Sequence, residues 1–312
     1  MTKTWLTAGT IVAALVNPAM AQENELPFTV DFSVELESDL TFEADDPAAE
    51  ISDTFATVEA AFAMELAEGL TLNSTALIEA VQDPVDDRFL EDHGLFIEEL
   101  LLGYEYGGLE IIAGKFNPAF GMAWDAAPGV FGTAFAEDYE LTERWGGSVG
   151  FALDDTHSLT VSSFMADRTF LSDSLGGDRG NTDLSDGGVS NTRAPESFII
   201  SFNGESDGMA YTLAAQRQAA GQGDAEDQIG FVGGVTRSFG EIEIVAEAAY
   251  FLNFDGADDS AFVGTLGAAK AFGPVTLSAV YALRDVRNAT TDQLATVSAE
   301  MEIAEGLTGA VG

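Results

Sequence analysis

The segment "FTVDFSVELES" (residues 28–38) decides the fold. Phe28, Val30, Phe32, Val34 and Leu36 alternate with Thr29, Asp31, Ser33, Glu35 and Glu37. A strand sends those two sets to opposite faces. One face is oily throughout, and the other carries acids and hydroxyls.

The same period recurs along the chain. Val58, Ala60, Phe62, Met64 and Leu66 alternate with Thr57, Glu59 and Glu65, and Leu70, Leu72, Ala76 and Ile78 with Thr71, Asn73, Thr75 and Glu79. Leu141, Trp145, Val149, Phe151 and Leu153 oppose Glu140, Thr142, Arg144 and Ser148. Ile242 to Tyr250 face away from Glu243 and Glu247, Val275 to Leu283 away from Thr276, Ser278 and Arg284, and Ala295 to Ile303 away from Glu300 and Glu302. Less regular examples lie near 95–106, 108–116, 158–167, 197–203, 208–217, 227–237 and 260–271. Soluble strands usually run about 5–6 residues, whereas a tilted strand crossing hydrocarbon needs about 9–11. The segments here run to roughly 9–13.

The joints carry the stronger signal. Tight ones fall at 67–70, 107–108, 154–157, 204–208, 238–241, 273–274 and 304–307, rich in the Gly and Asp that hairpin turns require. Long polar ones fall at 39–50, 83–94, 117–139, 168–196, 219–226, 254–259 and 286–292. The two kinds alternate without a slip, so short turns lie at one end of the strands and long loops at the other. That is the plan of a transmembrane antiparallel up-and-down β-barrel, apolar outside and polar inside. Fourteen strands are counted up to Glu302 and a fifteenth starts at Leu307. Even closure gives about 16 strands (14–16). "AEGLTGAVG" (304–312) reads as a turn and a strand cut short, which favours a barrel lacking its final strand at the C-terminus over closure at 14.

The N-terminus reads "MTKTWLTAGTIVAALVNPAMA", with one charge at Lys3, an apolar run from Trp5 to Val16 and a small-x-small site at Ala19-Met20-Ala21. This is the pattern of a cleaved export signal over residues 1–21. The barrel then occupies 22–312. No later run of about 18 apolar residues exists to make a spanning helix.

The chain carries 53 acids against 12 bases and no cysteine. Such a charge excludes nucleic acid as a partner. It leaves no disulfide framework or cysteine zinc site. His93 and His157 sit in an acidic loop and a tight turn, with neither zinc spacing nor a nucleophile beside them. No enzymatic or metal site is expected. Residues 173–188, rich in Gly and Asp, read as a solvated loop, with weak Ca2+ or Mg2+ binding at acidic external loops as the only cofactor in view.

The third long loop, "NPAFGMAWDAAPGVFGTAFAED" (117–138), is too apolar for a solvated tip. Outside, it would expose a contact patch. Folded into the lumen, it gains cover through Phe116, Pro118, Phe120, Trp124, Phe131 and Phe135, and turns Asp125, Glu137 and Asp138 to the aperture. Alternation adds Glu140, Arg144, Glu243, Glu247 and Arg284 to the pore lining. Arg144 beside Glu140 forms either half of a transverse field or a structural pair.

"GKFNPAFG" (114–121) and "AEDYELTER" (136–144), with the turn asymmetry and the inward loop, resemble the Gram-negative outer-membrane porins, in particular those grouped with phosphate-selective channels. The resemblance implies a passive pore, a homotrimer, an outer-membrane location among lipid and lipopolysaccharide, and small hydrophilic solutes as cargo. The residues argue against phosphate, because anion pores use ladders of Arg and Lys. An acid-lined lumen concentrates cations. The competing expectation is a non-conducting or plugged barrel, structural, adhesive or carrying a hydrophobic ligand. The polar inner face favours the wet channel.

Overall fold

Alternating strands bury backbone polar groups in lipid only if every N–H and C=O finds a partner in a neighbouring strand, so the sheet must close. The computed structural model describes residues 7–17 and 28–312 except 290, with side chains from residue 28 onward. Its strands are β1 (Thr7–Asn17), β2 (Phe28–Glu43), β3 (Ser52–Ala67), β4 (Leu70–Ala80), β5 (Arg88–Phe89), β6 (His93–Tyr106), β7 (Leu109–Phe116), β8 (Arg144–Ala152) and β9 (His157–Ala166). There follow β10 (Leu175–Gly176), β11 (Ser197–Ser206), β12 (Met209–Gln218), β13 (Gln228–Phe239), β14 (Ile242–Leu252), β15 (Ser260–Phe272), β16 (Val275–Val286), β17 (Thr291–Ala304) and β18 (Leu307–Val311).

Sixteen of these form one antiparallel circuit: β1 to β4, β6 to β9 and β11 to β18, with β1 pairing both β18 and β2. The two-residue strands β5 and β10 belong to external loops and lie on β3 and β6. The count agrees with the sequence expectation of about 16. The member that completes the ring differs. Residues 7–17, read as the core of an export leader, are a strand here, and the Ala19-Met20-Ala21 site lies outside the described residues.

The orientation of the faces is unambiguous. Phe28, Val30, Phe32 and Leu36 stand 40, 47, 43 and 43 % exposed on the outer surface. Phe198, Ile200, Leu213, Phe231, Tyr250, Leu266 and Tyr281 continue the same outward band on later strands. The inner face is polar along β2 to β4. Beneath the third loop it is not: Phe164, Ile199, Val232, Phe251 and Val263 form a buried apolar patch on the inner wall. The expectation of an inner face polar throughout is corrected there, because this wall meets an oily loop and not water.

The strand expected from Glu140 begins only at Arg144. Glu143 adopts φ 56°, a left-handed conformation that breaks the extended chain before β8. Leu141 therefore leaves the lipid face assigned to it and packs inside at 5 % exposure. Glu140 leaves the wall and ends the loop.

Candidate pore constriction

Residues 117–143 leave β7, enter the lumen and return to β8. A long chain inside a water-filled barrel needs fixed points, and the structure supplies them at both ends and in the middle.

The neck comes first. Asn117 is gripped by the two acids of β6: its backbone N–H donates to Glu99 Oε1 (3.2 Å) and its Nδ2 to Glu98 Oε1 (3.1 Å). The Glu143 N–H donates to Asn117 Oδ1 (2.8 Å), tying exit to entry. Below sits Lys115, fully enclosed, with its ammonium 2.8 Å from Glu143 and 2.9 Å from Asp167. Arg179 also grips Glu143 while its guanidinium lies 3.7 Å above the Phe96 ring. A buried charge is tolerated only when paired like this. Burial opposes the Asp167 charge, yet hydrogen bonds from Ser172 and Lys115 prevail and hold its carboxyl below the ordinary range.

The middle is fixed by Glu247 on β14. Its carboxylate accepts from the N–H groups of Met122 (2.7 Å) and Ala123 (3.1 Å) and from the Tyr139 hydroxyl (2.6 Å). The N–H groups at the start of the single turn α1 (Ala123–Ala126) have no partner within the turn, so a carboxylate fits them. Burial, then the neighbouring Glu247 charge, keeps the Tyr139 phenol protonated far above its ordinary range. Phe120, Tyr139 and Phe251 pack around this contact at centroid distances of 5.7 to 6.2 Å.

The loop then runs along the wall from β14 to β17. Close approach is made possible by missing side chains. A Cβ on Gly234 would come within 2.8 Å of Met122, and one on Gly267 within 2.6 Å of Pro128. Val130 N–H donates to Ser298 Oγ on β17 (3.0 Å). Asp138 is bound by Arg284 (2.6 Å), which also reaches Asp292 (2.9 Å) and lies 5.1 Å from the Phe135 ring centre.

The residues expected at the site are thus sorted. Phe116, Pro118 and Phe120 are buried, and Trp124, Phe131 and Phe135 are half-buried against the wall. Asp125, Glu137 and Asp138 are exposed on the loop, although Asp138 is paired with Arg284. Glu243 is inward and exposed near the short-turn end. Glu247 is no free lining charge: at 5 % exposure it is the loop's anchor. Among the described residues Arg144 makes no ion pair with Glu140; its Nε is shut from solvent without an acceptor, and the acid whose charge reaches it is Glu143. Burial lifts the Glu140 carboxyl above the ordinary range, helped by Glu137 and Asp125.

Across the gap stands β2, whose inward row includes Glu35, Glu37 and Asp39, and Glu137 of the loop lies within electrostatic reach of Glu37. The constriction is therefore acid against acid. Glu37 was legible by parity. Glu98 and Glu99 were not, because a register shift opposite Thr75 and Ala76 places both beside the neck. Ser298 and Tyr139 carry no local signal of their anchoring role. Among the described residues, no group of three or more His, Asp or Glu is arranged to hold a metal ion.

No family model matches this chain, and no curated protein matches it. Solved structures do. A mutant of Rhodopseudomonas blastica porin is 15 % identical, with 98 % of this chain and 99 % of that one covered, at a TM-score of 0.55. The outer-membrane channel DcaP of Acinetobacter baumannii is 9 % identical over 99 % and 95 %, at 0.54. An anion-selective porin from Comamonas acidovorans is 12 % identical over 97 % and 86 %, at 0.51. At these identities the likeness speaks for the architecture, and over nearly its full length this chain has the fold of the Gram-negative outer-membrane porins.

Proposed function

We propose that the chain is an outer-membrane diffusion channel that passes small hydrophilic solutes and ions, with a preference for cations. The observation that carries this reading is the pinned loop. Residues 117–143 are held to one wall by Glu247 and Ser298, and turn Glu137 toward the acids of β2. Negative potential in a narrow aqueous gap draws cations and repels anions. The structural neighbour from Comamonas acidovorans is described as anion-selective; here the basic side chains near the gap are mostly spent on structure, as with Lys115, Arg179 and Arg284.

Reconstitution in planar bilayers under a steep KCl gradient tests the preference. The reversal potential is expected with the sign of potassium permeability, and a chloride sign defeats the reading. Liposome swelling with sugars of graded size is expected to show a size cut-off, and no swelling with any sugar would leave a plugged barrel. Assembly as a homotrimer in lipopolysaccharide-bearing membrane completes the proposal, with divalent ions bridging external acids to lipid phosphates. Residues 1–21 act as the export leader in this reading, which takes β1 (Thr7–Asn17) out of the mature barrel and leaves β2 and β18 without that partner. Amino-terminal sequencing of protein recovered from the outer membrane is then expected to begin at Gln22, and recovery of Thr7–Asn17 in the mature protein refutes the leader.

A further inference from the structure

Arg144 is the odd residue of the channel mouth. Among the described residues its guanidinium makes no hydrogen bond and no ion pair within 4 Å, although the charge of Glu143, already held by Lys115 and Arg179, reaches it. A half-buried arginine normally has a carboxylate in its fork. Yet Arg144 walls a cavity of about 360 Å3 on the long-loop side of the constriction, which Glu140, Leu141, Phe254, Asp255 and Arg284 also line. That is the space of roughly a dozen waters at about 30 Å3 each.

The charges around the cavity are unequally committed. Arg284 is held by Asp138 and Asp292. Among the described residues, none donates a hydrogen bond to the carboxyl groups of Glu140 and Asp255. Asp255 is delivered by a strained turn: Asn253 and Asp255 both take left-handed φ, 54° and 53°, and the Asp255 N–H is tied to Gln228 Oε1 (2.7 Å). Strain in a non-glycine loop persists where its surroundings enforce it, and it is enriched at ligand sites. The cavity thus offers one unspent guanidinium on the β8 side, unspent carboxylates on the loop side and an apolar floor from Leu141 and Phe254.

We propose that this cavity is a binding site for small α-amino acids, taken up as zwitterions before they pass the constriction. The carboxylate of the ligand sits on Arg144, its ammonium faces Asp255 and Glu140, and its side chain covers Leu141 and Phe254. A simple anion satisfies only the guanidinium and meets two carboxylates. A simple amine satisfies the carboxylates and leaves Arg144 bare. The site rests on the channel reading only for the route by which solute arrives.

The test uses three probes of one carbon skeleton: alanine, propionate and isopropylamine. In detergent, titration calorimetry on the full chain is expected to show saturable alanine binding, with propionate and isopropylamine each weaker by about tenfold or more, the loss of one charge-assisted contact. In bilayers, alanine added on the loop side is expected to interrupt the KCl current. Arg144→Gln and Asp255→Asn each weaken alanine about tenfold, while Lys270→Gln, at the short-turn end, leaves it unchanged. Propionate binding as tightly as alanine overturns the zwitterion assignment, as does undiminished alanine affinity in Asp255→Asn, which lies in an exposed loop and carries the test if Arg144→Gln does not fold. Intact KCl conductance with no alanine binding overturns the site and spares the channel. Absent conductance with alanine binding intact overturns the channel and spares the site.

Discussion

At the scale of single residues, the chain spends its few unusual side chains on holding one loop. Glu247 is the clearest case. Its carboxylate has only acceptors to offer, and it faces three donors in Met122, Ala123 and Tyr139. Glu247→Gln keeps the shape but turns an NH2 group toward N–H donors. The substitution is expected to destabilise loop anchoring by about 1.5–3 kcal/mol, the range for hydrogen bonds to a charged group. Single-channel recordings would then show a larger and noisier conductance, and an unchanged trace refutes the anchor. Lys115 poses the same problem with the sign reversed. Lys115→Met leaves Glu143 with Arg179 but strands Asp167 in a buried place with only Ser172 and backbone donors. The loss is expected at about 3 kcal/mol, typical of breaking a buried pair from one side, read as a lower unfolding temperature in detergent. The pH dependence follows from Asp167. Its carboxyl is held below the ordinary value, so the stability it gives is fully present above about pH 4, the unfolded value. That stability is lost only as pH falls through the lower folded value. Thermal melts across pH 5 to pH 2 should therefore diverge between wild type and Lys115→Met at the upper end and converge at the lower.

At the scale of elements, the loop and the wall are matched surfaces. Gly234 and Gly267 face inward on β13 and β15, where a strand gains nothing from glycine except room. Gly267→Val sets two methyl groups where Pro128 already stands within 2.6 Å of the missing Cβ. Overpacking of this kind costs about 1–3 kcal/mol, and the loop has open lumen behind it into which to yield. The expected result is a narrower channel with lower conductance, against the wider one from Glu247→Gln; a conductance equal to wild type removes Pro128 from that wall. This element also shows what sequence reading reaches. The row from Phe28 to Leu36 announces its faces because each residue obeys a period of two. The turns at Gly69, Gly107, Gly208, Gly240, Gly273 and Gly306 announce themselves by needing positive φ, which the structure gives to each. The inward path of residues 117–143 was legible too, since an apolar loop needs cover. What covers it was not. Val232, Phe251 and Val263 come from strands far along the chain, and nothing local marks their inward faces as dry. Glu143, with its reversed φ, ended a strand that alternation alone extended to Glu140. Glu247 obeyed its parity and still misled, because parity reports a face and not what lies upon it.

At the scale of the whole molecule, the excess of acids becomes a property of one gap. Acids on the long loops face solvent and are screened within about 8–10 Å at ordinary salt. In the proposed channel, those at the constriction would act on every ion that passes. Glu137, with Asp125 and Glu140 in its electrostatic neighbourhood, stands on the loop side, and Glu37, with Glu35 and Asp39, on β2. Within this set Glu140 responds to pH sooner than a free carboxylate would. Glu140 shows the direction: burial, then the charges of Glu137 and Asp125, raise its value, so it takes up a proton at a pH above the ordinary carboxylate value of about 4.3. Acidification thus removes the Glu140 charge from the gap early. Reversal potentials measured from neutral pH downward are expected to drift toward non-selectivity. Glu140→Gln should make part of that drift permanent: its selectivity at neutral pH is lower than wild type and its pH profile flatter, with little change in conductance at high salt, where screening mutes all fixed charge. A profile that breaks only at or below the ordinary carboxylate value, in wild type and variant alike, would place the selecting charges on the solvated loops instead of the gap.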